Sequence, residues 1–387
     1  MERLTASDWI SLIQGVFAPD RTRDGGLVFL VDVPDDVVPD NPAWKDRRSM
    51  VVDWVRELQA AHGAHGWEVV LVAVPNVHRH NADLPDGCFL WTGLQAPDHV
   101  RELEGPQPIS FEEAFGRWSM WIAPTEFSAT APLKLASRER KDFRAATMPL
   151  FSAAMIPALR LPYDEINRRV MVLKDLLDSV EGAEIEFLLE DGTRDHLHLD
   201  LRFRTAHASG GVLRENGVAG NLPSGEAYIV PYEGERQDTP SRSAGVMPVE
   251  LDGEIVRYVI RGNRAVEVLT GGPVSQAERD RLMAEPAYGN LAELGLGVLD
   301  AFGVQPTGEM LLDEKLGLHI AFGRSDHFGG AVGTAQFSSP EGVVHIDRVY
   351  VPSMQPGIPS VSCTLVMPGG AEVPLIRDSA YVISFGS

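Results

Sequence analysis

The stretch GLVFLVDVP, residues 26–34, is a continuous apolar run that ends in a proline, and it predicts a buried β-strand. The next segment, AWKDRRSMVVDWVRELQAAHG (43–63), has its apolar residues at helical spacing, and WEVVLVAVP (67–75) repeats the strand pattern. A strand, a helix and a second strand in this order are typical of a βαβ unit, whose strands are parallel. The alternation continues to about residue 160, so we expect an α/β domain with a parallel sheet.

The pattern changes after the segment PYDEINRRVMVLKDLLDSV (162–180), which starts with a proline and has helical spacing. We interpret this segment as a helix that links two domains. Residues 184–203 then predict a strand, a DG turn and an alternating strand, and the remainder is rich in strands and turns. The sequence therefore predicts an N-terminal α/β domain at 1–180 and a C-terminal, sheet-rich α+β domain at 181–387.

One clear helix is expected in the C-terminal domain, at TGGPVSQAERDRLMAEP (270–286). Ser275 precedes Glu278 by three residues, which is the spacing of a capping box. In that arrangement the serine hydroxyl accepts a hydrogen bond from the first turn, and the glutamate reaches back to the backbone of the cap. We therefore expect Ser275 to cap this helix.

The charge balance excludes one class of partner. Among 387 residues, 34 are Lys or Arg and 55 are Asp or Glu, a formal net charge of -21. A polyanion is repelled by this charge unless a basic patch is present, and the sequence contains none, so we expect no nucleic acid partner. No run of eighteen apolar residues and no signal-like start occur, so we expect a soluble, cytoplasmic protein without a membrane partner.

The two cysteines, Cys88 and Cys363, are far apart and belong to no CxxC arrangement. They support neither a disulfide framework nor a thiolate metal site. Any metal bound by this chain is therefore expected to have nitrogen and oxygen ligands.

Two histidine-containing motifs are better explained without a metal. In HLHLD, His196, His198 and Asp200 share one face of a predicted strand, and leucines at the alternate positions indicate one buried and one solvated face. The HRH motif at 78–80 follows a strand at an edge where ligands often bind, but solvated loop residues are the favoured explanation. The glycine-rich stretch at 295–303 lacks the strand, loop and helix of a dinucleotide site.

The stretch DEKLGLHIAFG (313–323) places Glu314 and His319 five positions apart, with Gly317 between them. Neither one helix nor one strand brings residues at this spacing together, because their periods are 3.6 and 2. A turn at Gly317, with Glu314 ending one element and His319 opening an apolar strand, allows the two side chains to converge. A surface Glu–Lys pair followed by a half-buried strand is equally consistent with this sequence, so the stretch alone leaves both alternatives open.

Three further fragments combine glycine, apolar residues and single polar side chains: NLPSGEAYIVP (221–231), AELGLG (292–297) and VVHIDRVYV (343–351). Glu226 and Glu293 each lie close to a glycine in an apolar context, where an unpaired carboxylate is costly to bury and a cation removes that cost. His345 and Asp347 are two residues apart on one strand, so they share a face and can reach one ion. The sequence thus offers metal ligands from four separate segments.

In this order and at about these separations, the four fragments resemble the motifs NLPxGE, AELGIG, EKxxGTxHIAxG and HxD of the aminopeptidase T and aminopeptidase S family of metallopeptidases. The resemblance is strong over residues 221–351 and weak over about 145–180, and the first 140 residues match only in α/β texture. It implies a pair of divalent metals bound by two histidines and four carboxylates: Glu226, Glu293, Glu314, His319, His345 and Asp347. It also implies a small-molecule or short-peptide substrate and a homodimer or higher homo-oligomer.

The charge of the implied ligands agrees with two ions. Four ionised carboxylates carry about -4, which two divalent cations cancel and one cation does not. Oxygen and imidazole donors suit Mn, Co and Zn alike. Such a site implies a metallohydrolase that attacks a C–N bond with water activated by the metals, and Glu226 is a candidate for moving the proton.

One position departs from the pattern of the family. The family has a tyrosine seven residues after the histidine of HIAxG, and this chain has Asp326 there, followed by His327. Either side chain changes proton transfer near the metals, so both are candidate catalytic residues, and peptide hydrolysis is the expectation most affected. Lys315, Arg324 and Arg348 lie nearby in sequence and are expected at the surface.

Two relatives of this fold have other chemistry and define the alternatives. A nitroanthranilate aminohydrolase replaces an aromatic amine by water at a metal, so hydrolytic deamination of a small aromatic amine stays open. A dihydroxypyridine ring-cleaving dioxygenase uses one iron held by two histidines and one aspartate, and it has a histidine in the segment that contains Glu293 here. That difference makes a dioxygenase less favoured. A scaffold that keeps the fold without catalysis is also a less favoured alternative.

Overall fold

A computed structural model describes residues 2–20, 24–104, 108–140 and 142–386. The chain divides into two compact units: Met1–Asn167 with Gly211–Ser224, and Arg168–Gly210 with Gly225–Ser387. Each unit therefore consists of two segments of the chain, and the first segment ends at residue 167. The predicted domains, 1–180 and 181–387, are instead separated at one position. That division stays a prediction. No helix in the described ranges is both long and apolar enough to cross a membrane.

Helices and strands are numbered along the chain. The α-helices of the described ranges are α1 (Ala6–Phe17), α2 (Pro42–Ala60), α3 (His62–His65), α4 (Phe111–Arg117), α5 (Thr130–Glu139), α6 (Ile156–Leu159), α7 (Tyr163–Asp178), α8 (Pro273–Ala284) and α9 (Met310–Asp313). The strands are β1 (Gly26–Val33), β2 (Glu68–Pro75), β3 (Phe89–Trp91), β4 (Met120–Ala123), β5 (Arg144–Thr147), β6 (Gly182–Leu188), β7 (Arg194–Asp200), β8 (His207–Ser209), β9 (Val218–Asn221), β10 (Glu226–Ile229), β11 (Ala244–Leu251), β12 (Glu254–Arg261), β13 (Arg264–Val268), β14 (Leu291–Gly297), β15 (Leu318–Gly323), β16 (His345–Val349), β17 (Ser360–Val366), β18 (Glu372–Arg377) and β19 (Ala380–Tyr381).

The sheet of the first unit has the strand order β3-β2-β1-β4-β5-β9. Its neighbouring strands are parallel except for β2 and β3 at one edge. Every residue of β1 is buried, as expected for a central strand of a parallel sheet. Trp118, Trp121 and Phe143 pack in one core cluster, and burial of an apolar side chain of this size contributes roughly 1.5–3 kcal/mol. The predicted α/β domain with a parallel sheet is confirmed.

The second unit contains two antiparallel sheets. The larger has the strand order β13-β12-β11-β7-β6-β17-β18-β19, and the smaller has the order β16-β15-β14-β10-β8. Strands β6 and β7 form the predicted pair, with Asp191 and Gly192 between them. The sheet-rich character predicted for the C-terminal region is confirmed, and helix α7 lies where the linking helix is predicted.

The start of α8 differs from the prediction. Its N-cap is Gly272, which has no side chain to offer. The carboxylate of Glu254, at the start of β12, instead accepts hydrogen bonds from the backbone N–H groups of Val274 and Ser275, both at 3.0 Å. Ser275 donates its hydroxyl to the same carboxylate, and Glu278 accepts hydrogen bonds from two tyrosines. The capping-box prediction is wrong because tertiary contacts use both side chains.

Candidate metal centre

The smaller sheet of the second unit carries five of the six predicted ligands. Glu226 lies on β10, Glu293 on β14 and His319 on β15, while His345 and Asp347 lie on β16. In an antiparallel sheet, residues paired across neighbouring strands project to the same face. The topology therefore brings ligands from four strands, which are far apart in sequence, to one surface.

The register of this sheet alternates ligands with small residues. Glu293 is paired with Ala321 on the next strand, and Ala321 is paired with Asp347 on the strand beyond. In the neighbouring row, Gly295 is paired with His319. A Cβ atom at Gly295 would overlap the imidazole of His319. The small residues therefore leave the space into which the ligand side chains converge.

The ligand atoms form two groups that share Glu293. The first group is Glu226, Glu293 and His319, the second is Glu293, His345 and Asp347, and in each the atoms lie within 4.8 Å of one another. Glu293 Oε1 is 3.3 Å from His319 Nε2, and Glu293 Oε2 is 3.4 Å from His345 Nε2. One carboxylate thus offers one oxygen to each group, as a ligand that bridges two cations does.

Each group contains a buried carboxylate oxygen without a hydrogen-bond partner. Glu226 Oε2 is 3.5 Å from His319 Nε2, and Asp347 Oδ1 is 3.6 Å from His345 Nε2. Both oxygens are buried, and neither accepts a hydrogen bond from the described residues. Each oxygen faces a histidine ring without a hydrogen bond, and a metal cation in each group would give the buried carboxylate a closer partner. The residues present therefore fit two metal ions.

Backbone carbonyl groups orient the two histidines. Nδ1 of His319 is 3.2 Å from the carbonyl oxygen of Gly317, and Nδ1 of His345 is 2.8 Å from that of Arg324. A ring nitrogen that donates to a carbonyl leaves the other nitrogen for a metal. Nε2 is therefore the atom that each ring can offer to a metal, and it is Nε2 that faces Glu293 in each group.

The neighbouring carboxylates raise the pKa of both histidines. Burial lowers the pKa of His319, but the hydrogen bond to Glu293 and the charges of two further carboxylates raise it to about 9. Burial also lowers the pKa of His345, but Asp347 and Glu293 have the larger effect and raise this pKa well above its ordinary value. Both rings are protonated at neutral pH in the metal-free protein. A metal ion must therefore displace protons when it binds.

A buried lysine, Lys315, lies between two of the predicted ligands. Its Nζ donates to Glu226 Oε1 at 2.6 Å and contacts the carboxylate of Glu314, and its side chain is 1% exposed. The expectation of a surface position is therefore wrong. A Glu–Lys pair at the end of a helix has the local pattern of a solvated pair, and the apolar residues on either side of it are the only sequence signal for burial.

Glu314 stands apart from the two groups. It ends helix α9, and Gly317 separates it from His319 on β15, so the predicted turn is present. Among the described residues, however, neither group of ligand atoms includes Glu314. Burial raises the pKa of Glu314 to about 8, although the charge of Lys315 acts in the opposite direction. A carboxyl group with this pKa can take up and release a proton near neutral pH.

Asp326 and His327, the candidate catalytic residues, lie in a short 3₁₀ turn after β15. The Asp326 carboxylate accepts a hydrogen bond from Arg324 Nε at 2.5 Å, so it is directed to this arginine. The His327 ring lies 5.3 Å from the ring of His345 and borders the second group. Arg348 also differs from the expectation of a surface position, because it is half-buried and donates to a tyrosine hydroxyl at 3.2 Å.

The histidine motifs set aside in the sequence lie outside both groups. His196 and His198 face carboxylates of the adjacent strand β6. Asp200 departs from the expected solvated face, because it is 1% exposed and accepts two hydrogen bonds from Arg202. His78 of the HRH motif pairs with an aspartate at 2.6 Å. Ordinary ion pairs therefore account for these side chains.

Comparisons with known proteins support the fold. No protein-family model and no curated protein sequence matches the chain. Wild-type AmpT from Thermus thermophilus, an aminopeptidase T, is similar with a TM-score of 0.57 and 14% identity, covering 98% of this chain and 99% of that one. The 2,5-dihydroxypyridine dioxygenase from Pseudomonas putida KT2440 is similar with a TM-score of 0.62 and 13% identity over the same shares. The chain therefore has an aminopeptidase T-like fold, which also occurs in a dioxygenase.

Proposed function

We propose that this protein is a metal-dependent hydrolase that cleaves a C–N bond in the manner of an aminopeptidase. The observation that carries the proposal is Glu293, which directs one oxygen to each of two groups of ligands. The unpaired oxygens of Glu226 and Asp347 support one divalent cation in each group. Oxygen and imidazole ligands suit Mn, Co or Zn.

If Glu226, Glu293, His319, His345 and Asp347 hold two divalent ions, these would supply a water molecule of lowered pKa and polarise the group that it attacks. The side chains around them supply proton transfer. Glu226 is held by Lys315 through one oxygen and directs the other toward His319, so we assign it to metal binding. Glu314 belongs to neither ligand group and contacts Lys315, so it is the better candidate to take up a proton and return it to the leaving amine.

A second candidate is the hydrolytic deamination of a small aromatic amine. The observation that favours it is a set of rings beside His345. The Phe328 ring lies 5.5 Å from that of His345, 4.9 Å from Tyr228 and 3.8 Å from His327. A flat substrate can pack against such rings. Both candidates break a C–N bond, and they differ in whether the carbon belongs to a carbonyl group or to a ring.

Ring cleavage by a dioxygenase is less favoured, although a dioxygenase shares the fold. Mononuclear iron sites in oxygenases typically combine two histidines with one carboxylate. Within the described residues, each group of ligand atoms contains one histidine, and neither contains both. This division of the histidines favours two separate ions over a single iron.

Metal analysis beside a substrate panel tests the proposal. Protein purified without chelator is expected to contain about two equivalents of divalent metal per chain. Cleavage of dipeptides or aminoacyl anilides supports the first candidate, and ammonia release from a small aromatic amine supports the second. One redox-active equivalent of iron, with oxygen uptake on a dihydroxypyridine, would overturn both.

A further inference from the structure

One of the seven tyrosines differs from the others in what its hydroxyl does. All seven lie in the described ranges. Six donate their hydroxyl to a protein oxygen: Tyr163, Tyr232, Tyr258, Tyr288, Tyr350 and Tyr381. The hydroxyl of Tyr228 has no partner within the described part of the chain, and the residue is half-buried rather than fully buried. It is therefore available to a ligand.

Tyr228 lies on the face of the smaller sheet that carries the metal ligands. It follows Glu226 by two residues on β10, so the two side chains project from the same face. Tyr228 is paired with Gly295, which is paired on its other side with His319. Because Gly295 has no side chain, no group on β14 separates Tyr228 from His319 in this row.

Two neighbours hold the ring of Tyr228 in place. The His207 ring stacks on it at 5.2 Å with an interplanar angle of 26°, and the Phe328 ring meets it at 4.9 Å and 64°. His207 Nε2 is 3.0 Å from the carbonyl oxygen of Phe328, so the two neighbours are also joined to each other. A ring held on two sides gives its hydroxyl a defined position, as transition-state stabilisation requires.

The side chains around this hydroxyl leave it a distinct role. Ionised carboxylates can only accept hydrogen bonds, and Lys315 already donates to Glu226 and Glu314. A substrate oxygen that gains negative charge during the reaction requires a donor. The phenol of Tyr228 is an uncharged donor on the same face as the ligands.

We infer that the Tyr228 hydroxyl donates a hydrogen bond to the substrate oxygen on which negative charge develops. The inference rests on the proposed function and deepens it, because it requires substrates that carry a carbonyl oxygen beside the C–N bond. Tyr228 then acts as a catalytic residue in direct contact with the substrate, and the adjoining rings accommodate an apolar or aromatic group on this side of the site.

The first test compares Tyr228→Phe with the wild type in the metal-loaded protein. Loss of one donor to a developing oxyanion is expected to lower kcat about 10²–10³-fold, with metal content unchanged. Tyr350→Phe is the matched control, because its hydroxyl donates to the carbonyl oxygen of Pro248 at 2.8 Å. The control is expected to keep the kcat of the wild type.

The second test needs no turnover. Inorganic phosphate, a tetrahedral oxyanion, is titrated into the metal-loaded proteins by calorimetry, and Tyr228→Phe is expected to bind it about tenfold more weakly than the wild type. Equal phosphate affinity in the two proteins, equal kcat, or a wild type that binds no phosphate would overturn the inference. A wild type that turns over no substrate of the panel overturns the proposed function instead, and the phosphate comparison still decides on Tyr228.

Discussion

At the scale of single residues, Glu293 and Asp347 differ in how many ligand groups depend on them. Glu293 belongs to both groups, whereas Asp347 belongs to one. Glu293→Ala is therefore expected to lose both metals, and Asp347→Ala to retain about one equivalent per chain. Emission spectrometry after dialysis measures the difference. His198→Ala, which removes only an ion pair with Glu184, should keep the metal content of the wild type, and full occupancy in Glu293→Ala would contradict the shared ligand.

Lys315 provides a second prediction at this scale. Replacing it by Met leaves the buried carboxylates of Glu226 and Glu314 without their cation. Breaking a buried pair in this way costs about 3–5 kcal/mol, so the free energy of unfolding of the metal-free protein should fall by this amount. A divalent metal in the first ligand group brings positive charge to Glu226, so the loss should be smaller in the metal-loaded protein.

Urea denaturation of Lys315→Met and wild type, with and without metal, measures both differences. Equal losses in the two states would show that Lys315 acts through packing alone. Lys315→Arg keeps the charge and serves as the control for the change in shape.

Proton release gives a prediction for pH. The pKa of His319 in the metal-free protein is raised to about 9, so the protonated ring stabilises the fold below pH about 6.5, and this contribution is lost as the pH rises through about 9. A metal binds the neutral ring, so binding at pH 7 should release protons, and metal affinity should rise up to about pH 9. Calorimetry in two buffers with different ionisation enthalpies counts the protons. Identical heats in both buffers would contradict the raised pKa.

Single residues differ in how far the sequence reveals them. Glu293, His345 and Asp347 stand in short fragments of recognisable composition, so the sequence could single them out as candidate ligands. The burial of Lys315 depends on Glu226, which is 89 positions away, and no local pattern encodes that contact. The burial of Asp200 could not be predicted for the same reason. Alternation along a strand does not show which face of the strand a neighbouring loop covers.

At the scale of elements, strand β14 combines a ligand with glycines on one face. Gly295→Ala places a methyl group where the His319 imidazole lies. The ring must move, so this variant should lose the metal of the first group while retaining its secondary structure. Metal content and circular dichroism together measure the outcome.

Gly15→Ala in helix α1 is the matched control, because its Cβ meets no atom within 4 Å. It should keep its metals and gain roughly 0.5–1 kcal/mol of stability, as alanine does in a helix. Wild-type metal content in Gly295→Ala would show that the imidazole has room to adjust.

Helices and strands with a regular spacing of apolar residues could be predicted from the sequence, but the residues at which they begin and end could not. Helix α2, strands β1 and β2 and the pair β6 and β7 follow their periodic patterns closely. The start of α8 does not, because Glu254 caps it from 20 residues away. A cap supplied by another strand has no signature within the helix itself.

At the scale of the whole molecule, five of the six candidate ligands lie in one sheet of the second unit. Removal of metal by a chelator should therefore speed amide hydrogen exchange in β10, β14, β15 and β16, because no metal ion then links the side chains of these strands. Strands β1 and β2 of the first unit contain none of these ligands and should exchange at their original rate. Uniform acceleration in both units would contradict a local role for the metals. Self-association stays a prediction, which light scattering can test.

The fold of the whole chain could be recognised only through a few fragments. Identity with the two similar structures is 13–14%, so most core positions carry no recognisable pattern. The resemblance rests on four fragments in which glycines and single polar side chains stand in an apolar context. The sequence could not predict that residues 211–224 belong to the first unit. The strand β9, which joins them to its sheet, has only four residues and therefore little periodicity.

Ala321 lies between Glu293 and Asp347 in one row of the sheet, and its pairing is set by backbone hydrogen bonds rather than by its methyl group. A histidine or carboxylate introduced at such a position enters the same space without a change in the path of the chain. The type and number of ligands can thus change by single substitutions while the sheet stays as it is. This separation of backbone pairing from side-chain identity allows the same sheet to present different side chains at this row.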